Sequence, residues 1–224
     1  MSTGFDTIKP ISKAYIEDLM DEKFEFFIGR VWRPYGAFDE TGIQNIKNAR
    51  AAGMRHVDAY VFPCTKSYSA PATAQIEAVV NKLRTEEAKI DTLWLKIETH
   101  EWPNDQVANR QFIVDMFNQA QLMGTKVGIY TNDVNWKAIT GYWNALAQFP
   151  LWVACNKQAY YSLNNSTTIE SWGEKSSELL QNFYNNGFSQ FGGWTEPTIT
   201  QCEKFTLGTR NGCDVAIGLN VSRN

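Results

Sequence analysis

The stretch Thr92-Leu93-Trp94-Leu95-Lys96-Ile97-Glu98 decides the fold. Its apolar and aromatic residues suit a strand buried on both faces, and it stands between two longer amphipathic segments, Ala72–Lys89 and Asp105–Met123. A second apolar run, Lys126–Thr131, follows. Strand, helix and strand in this order are the unit of a parallel sheet. Moving outward, the same alternation predicts strands at Gly4–Ile8, Phe26–Trp32, His56–Pro63, Pro150–Cys155, Phe188–Trp194 and Asp214–Val221, and a helix over Asp39–Ala52. Gly53 and Gly124 directly follow two of the helical stretches and suit the left-handed residue that ends a helix. Eight strands, with helices between the first six, predict an α/β barrel. The segment 156–187 begins Asn- and Ser-rich and turns helical around Ser171–Tyr184, so it reads as a loop carrying a helix.

The 224 residues suffice for one substantial core, and a single domain over 1–224 is expected, with residues 1–3 a disordered start or one added ahead of the native chain. No apolar run reaches bilayer length, which argues against a membrane protein. The net charge of -3 comes without a basic block, which argues against a nucleic-acid partner. Eight Trp and nine Tyr lean toward carbohydrate, because flat amphipathic rings stack on sugar faces. Cys64, Cys155, Cys202 and Cys213 lack metal-type spacing, so neither a metal nor a cofactor is expected. Four cysteines permit two disulfides in three pairings, Cys202 with Cys213 closing a short loop; buried free thiols are the alternative. Sequons at Asn164, Asn165 and Asn220 fit a secreted, extracellular protein. No signal peptide precedes Gly4, which fits either a mature secreted form or a cytosolic chain.

In a parallel α/β barrel the site is built at the C-terminal ends of the strands. Asp6 lies in the first strand; by period two, Asp58 and Tyr60 share a face of the third, and Lys96 and Glu98 share a face of the fourth. These five converge on one mouth in a closed barrel. For Asp58 and Glu98 the competing reading is a structural carboxylate with its partners satisfied. His56 and His100 are too scattered to nominate a metal or triad site.

Several of these runs, taken together, resemble one known family, the family-25 lysozymes among the glycoside hydrolases. Gly4-Phe5-Asp6 is similar to the family's opening strand, and Val57-Asp58-Ala59-Tyr60-Val61-Phe62-Pro63-Cys64 resembles the third unit of its eukaryotic members. Leu93-Trp94-Leu95-Lys96-Ile97-Glu98 resembles its Asp-x-Glu strand, Val127-Gly128-Ile129-Tyr130 its fifth strand and Pro150-Leu151-Trp152 its sixth. Phe191-Gly192-Gly193-Trp194 and then Gln201 resemble its late Trp…Gln segment. The resemblance runs nearly the length of the chain and implies an irregular TIM-like (β/α)5(β)3 barrel. It also implies cleavage of the β-1,4 bond between N-acetylmuramic acid and N-acetylglucosamine in peptidoglycan.

Two positions depart from the family. Lys96 stands where the family has the aspartate of Asp-x-Glu, and Gly218 where it has a late aspartate; Asp6, Asp58 and Glu98 match family acids. The resemblance makes Glu98 the proton donor. Hydrolysis needs that proton for the leaving oxygen and negative charge near the anomeric carbon. Lys96 favours ionised Glu98 and places positive charge where the transition state is positive. The expectation is a peptidoglycan-type glycan binder with muramidase activity lost or strongly reduced. Tyr60, Trp102, Tyr130, Trp152 and Trp194 are then candidates to stack on sugar rings, and packing of the barrel is their competing role. Two other readings stand beside it: an active lysozyme working through Glu98 and Asp6, and a scaffold that binds another protein.

Overall fold

The computed structural model describes residues 2–154, 188–206 and 214–220, with 202–206 and 214–220 given by their backbone alone. The elements in chain order are β1 (Ser2–Thr7), α1 (Lys13–Asp21), β2 (Phe24–Arg33), β3 (Ala37–Phe38), α2 (Glu40–Ala51), β4 (His56–Val61), α3 (Ala72–Thr85) and β5 (Thr92–Lys96). They continue with α4 (Gln106–Leu122), β6 (Lys126–Thr131), α5 (Asp133–Thr140), β7 (Leu151–Ala154), β8 (Ile199–Thr206) and β9 (Asp214–Asn220). Strands β1, β2, β4, β5, β6, β7 and β8 run parallel in sequence order. Strand β9 pairs antiparallel with both β8 and β1, and β1 also pairs with β2, so the sheet curls round to meet itself. This is the α/β barrel expected from the alternation of strand and helix. The short β3 hangs on β2 as a hairpin.

The helices form where their ends are capped. Ser12 caps α1, Asp105 caps α4 through the amides of Val107 and Ala108, and Asn132 caps α5, which Gly141 ends in the left-handed region. Two buried layers result. The larger lies between sheet and helices and includes Phe5, Phe27, Ile46, Ile76, Leu93, Ile113 and Ile129. The smaller fills the barrel and is strongly aromatic: Phe26, Ile28, Tyr60, Trp94, Tyr130, Trp152 and Ile199. Two glycines make room for those rings, since a Cβ on Gly4 would run into the Phe26 ring and one on Gly128 into the Trp94 ring.

Some expectations need correction. Strand β1 begins at Ser2, two residues before the expected Gly4, and both Ser2 and Thr3 pair with β9. Phe188–Trp194 is not a strand: Gly192 and Gly193 take positive φ and turn the chain, leaving only an isolated bridge between Phe191 and Trp194. The strand after β7 is Ile199–Thr206. The helix expected at Ser171–Tyr184 and the sequons at Asn164 and Asn165 lie outside the described residues. The Cys64 thiol is buried and unbridged, while Cys155 and Cys213, and the side chain of Cys202, fall outside what is described.

Candidate active site

The ladder sets which residues reach the mouth. Partners in register share a face, and the series Asp6, Ile28, Asp58 across β1, β2 and β4 lies one step below Arg30, Tyr60 and Trp94 across β2, β4 and β5. Lys96 is level with Tyr130, and Glu98 follows just beyond the end of β5. That end is held by Ile97, whose amide donates to the Tyr130 carbonyl at 2.8 Å and whose carbonyl accepts from the Thr131 hydroxyl at 2.8 Å.

The decisive contact is between Lys96 and Glu98. The Lys96 Nζ is 3.3 Å from Glu98 Oε2, with the side chains 20% and 29% exposed, so the pair faces the opening without being free in solvent. Three rings surround the same ammonium: Tyr130, Phe62 and Tyr60, with centroids at 4.8, 5.1 and 5.5 Å. All three distances are within cation–π range, so Lys96 is fixed inside the mouth by ring faces as well as by its carboxylate. Burial first, then the charges of Glu98 and Asp6, push the Tyr130 phenol well above the usual tyrosine range. Burial and Asp6 do the same to Tyr60. Both phenols therefore stay protonated and serve only as neutral donors.

Asp6 accepts a hydrogen bond from Gln201 Nε2 at 2.8 Å, which links the first and eighth strands across the ring. Asp58 has a different task. It is 1% exposed, and its two oxygens accept from the Thr92 amide at 3.0 Å and from Trp94 Nε1 at 2.9 Å. It ties β4 to the start of β5 and holds the Trp94 indole, so it joins the barrel interior and not the mouth. Gly218 pairs with Gly4, while Asp6 pairs with Ala216; Gly218 thus sits a layer below Asp6 in register.

The expected aromatic set divides in the same way. Tyr60 and Tyr130 line the Lys96 cage, and Trp152 packs edge-on against both and against Trp94 beneath it. Trp194 packs on Trp136 and donates to the Phe149 carbonyl at 2.9 Å, and Trp102 packs on Phe112; both belong to the layer outside the barrel. A pair missed in the sequence, Arg30 and Asp39, adjoins Tyr60. Arg30 Nε is 2.6 Å and Arg33 Nη2 2.9 Å from the buried Asp39 carboxylate. Burial alone would raise the Asp39 carboxyl, but hydrogen bonds from Arg33 and Arg30 outweigh it and hold the group below its ordinary value. The signal available in the sequence was parity, since Arg30 follows Phe26 and Ile28 at period two on the inward face.

The family described as Lysozyme-like protein 1 matches residues 1–202. The chain belongs to the lysozyme-like proteins of glycoside hydrolase family 25. As a member of that family it is 35% identical over 218 residues to Lysozyme-like protein 5 of Caenorhabditis elegans, covering 97% of this chain and 89% of that one. It is 31% identical over 199 residues to Probable GH family 25 lysozyme 4 of Dictyostelium discoideum, covering 89% and 82%. The bacterial lysozyme from Streptomyces coelicolor shares the fold at a TM-score of 0.66 and 18% identity, over 99% of this chain and 92% of that chain. The family GH25 lysozyme from Aspergillus fumigatus shares it at 0.62 and 16% identity, over 99% and 95%. In this family-25 chain, Asp6, Lys96 and Glu98 come together at the mouth with Tyr60 and Tyr130. Asp58, Trp102 and Trp194 do not. Among the described residues no group of three or more His, Cys, Asp or Glu is placed to hold a metal ion.

Proposed function

We propose that this lysozyme-like chain is a secreted protein that binds peptidoglycan or a related N-acetylated glycan and has lost most or all muramidase activity. The observation that carries the reading is the Lys96 ammonium 3.3 Å from Glu98. The ammonium engages a Glu98 carboxylate oxygen, so the residue in the donor position is paired with a cation where a leaving oxygen would have to approach. The same charge opposes the positive character that develops at the anomeric carbon. Losing one well-placed stabilising group costs about a hundredfold in rate, and here the sign is reversed. The binding half rests on what remains: an aromatic-lined mouth in which Tyr60, Tyr130 and Phe62 surround a fixed donor and Glu98 and Asp6 supply acceptors.

Turbidity clearing of cell-wall suspensions by the purified protein, run beside pull-down on insoluble peptidoglycan, tests both halves. Binding without clearing is expected. Clearing at a rate typical of lysozymes would overturn the loss of activity, and absence from the pellet would overturn the binding. Adding Gly218→Asp to Lys96→Asp should raise clearing above the single change. Secretion is tested by whether the protein is found in the medium of cells that express its full-length gene.

A second reading is an active lysozyme in which Asp6 and Glu98 work as the acid pair. It is favoured by Asp6 keeping a polar partner, Gln201, and by Glu98 remaining partly open at the mouth. The clearing assay separates the two readings.

A further inference from the structure

Three exposed tyrosines have a cation set against the ring, Tyr142 with Lys137 among them, and two of the three, Tyr35 and Tyr68, lie in loops that follow the C-terminal ends of β2 and β4. Tyr35, 58% exposed, lies in the turn between β2 and β3; Tyr68, 77% exposed, lies in the loop between β4 and α3. An exposed ring on a loop ordinarily moves freely, and holding it still costs conformational entropy. Here a cation is set against each ring. Arg33 donates to the Tyr35 hydroxyl at 2.7 Å with its guanidinium carbon 5.9 Å from the ring centroid. Lys66 Nζ is 5.7 Å from the Tyr68 centroid. Each cation is anchored in turn by an acid: Arg33 by the buried Asp39 at 2.9 Å, Lys66 by Glu101 at 3.2 Å.

Both devices stand on the rim that carries Lys96 and Glu98. Gly36, next to Tyr35, approaches Cys64 closely enough that a Cβ there would lie 3.7 Å from the Cys64 side chain, which joins the two tyrosine-bearing loops. The Thr65 hydroxyl donates to the Glu101 carbonyl at 2.9 Å, joining the second loop to the one that follows Glu98. Glu101 takes a φ of 57°, a conformation unfavourable for a residue with a side chain. The loop thus adopts a strained turn at the residue that anchors Lys66.

We propose that Tyr35 and Tyr68 form an outer platform on which a glycan chain continues past the barrel mouth, so that the preferred ligand is a polymer of N-acetylated pyranose units and not a short oligosaccharide. This rests on the glycan-binding reading of the mouth. The chemistry matches: a ring fixed by a cation offers a rigid apolar surface to a sugar face, and rigidity removes part of the ordering cost of binding. The charges nearly balance, because Asp39 serves both Arg30 and Arg33 and Glu101 faces Lys66, so attraction for a highly anionic polymer is weak.

Titration calorimetry with N-acetylglucosamine oligomers of defined length, the trimer and the hexamer, tests the platform in the full chain. The hexamer should bind wild type roughly tenfold more tightly than the trimer; Tyr35→Ala and Tyr68→Ala should each weaken the hexamer roughly fivefold and leave the trimer unchanged. Tyr68→Trp should retain hexamer affinity. Both positions are exposed, so the alanine variants should fold, and circular dichroism checks that they do. Equal affinity for the two lengths, or alanine variants that bind the hexamer like wild type, overturns the platform while leaving the mouth reading intact. Failure of both oligomers to bind wild type overturns both.

Discussion

Two carboxylates on neighbouring strands, Asp58 on β4 and Glu98 past the end of β5, have opposite fates. Asp58 is inside the barrel with both oxygens occupied by an indole and a backbone amide, and it is a structural tie. Glu98 is at the mouth, partly open, against an ammonium fixed by three rings. Both follow the inward alternation of their strands. Depth along the strand, and the charge next door, separate them: the lower site uses a carboxylate to hold the sheet together, and the upper one pairs its carboxylate with an ammonium at the opening.

The comparison can be broken first at the floor. Asp58→Ala leaves the Trp94 indole and the Thr92 amide without their acceptor in a buried place, and should lower the free energy of unfolding by about 3 kcal/mol in urea denaturation. A loss below about 1 kcal/mol would show that Asp58 is not the tie described.

Asp39, beside the mouth, gives an intermediate effect with a pH signature. Asp39→Asn should cost about 2 kcal/mol at neutral pH, because two charge-assisted hydrogen bonds are weakened in a buried setting. The folded-state value of this carboxyl is depressed, so its contribution is present above the unfolded value and is lost as pH falls through the folded one. Wild type should therefore lose stability on acidification below about pH 4, and the variant should show a shallower acid limb. Parallel acid limbs for the two proteins would remove Asp39 from the account.

The smallest effect belongs to the mouth itself. Lys96→Met keeps much of the side-chain volume against the rings and loses one partly exposed ion pair, so stability should change by less than about 1 kcal/mol. A larger loss would mean that Lys96 is a structural residue like Asp58.

The sequence pattern named the inward-facing residues well, because alternation fixes the face of a strand. Tyr60, Lys96 and Glu98 were found in this way, and they meet Asp6 and Tyr130. Alternation carries no information about depth, so Asp58 looked equivalent to Glu98. Trp194 and Trp102 looked like site residues for a related reason: aromatic content says nothing about which side of the sheet a ring packs on. Phe188–Trp194 has the apolar character of a strand, but two glycines with positive φ turn it, and the β-branched run at Ile199 forms the strand instead. The short α1 and α5 stand where helices were expected between the first six strands, but without stated bounds, because eight or nine residues hold too few apolar positions to show a period. Arg30 and Asp39 depend on contacts between β2 and the residue that caps α2, which spacing does not reveal.

The central claim is that Lys96 disables Glu98. Its most direct test is peptidoglycan clearing by wild type and Lys96→Asp at equal concentration in one assay. An aspartate there removes the ammonium from Glu98 and supplies a negative charge that stabilises a positive transition state, so clearing should rise by about a hundredfold from a baseline near zero. A wild type that clears at full rate, or a folded Lys96→Asp that clears no faster than wild type, would contradict the claim.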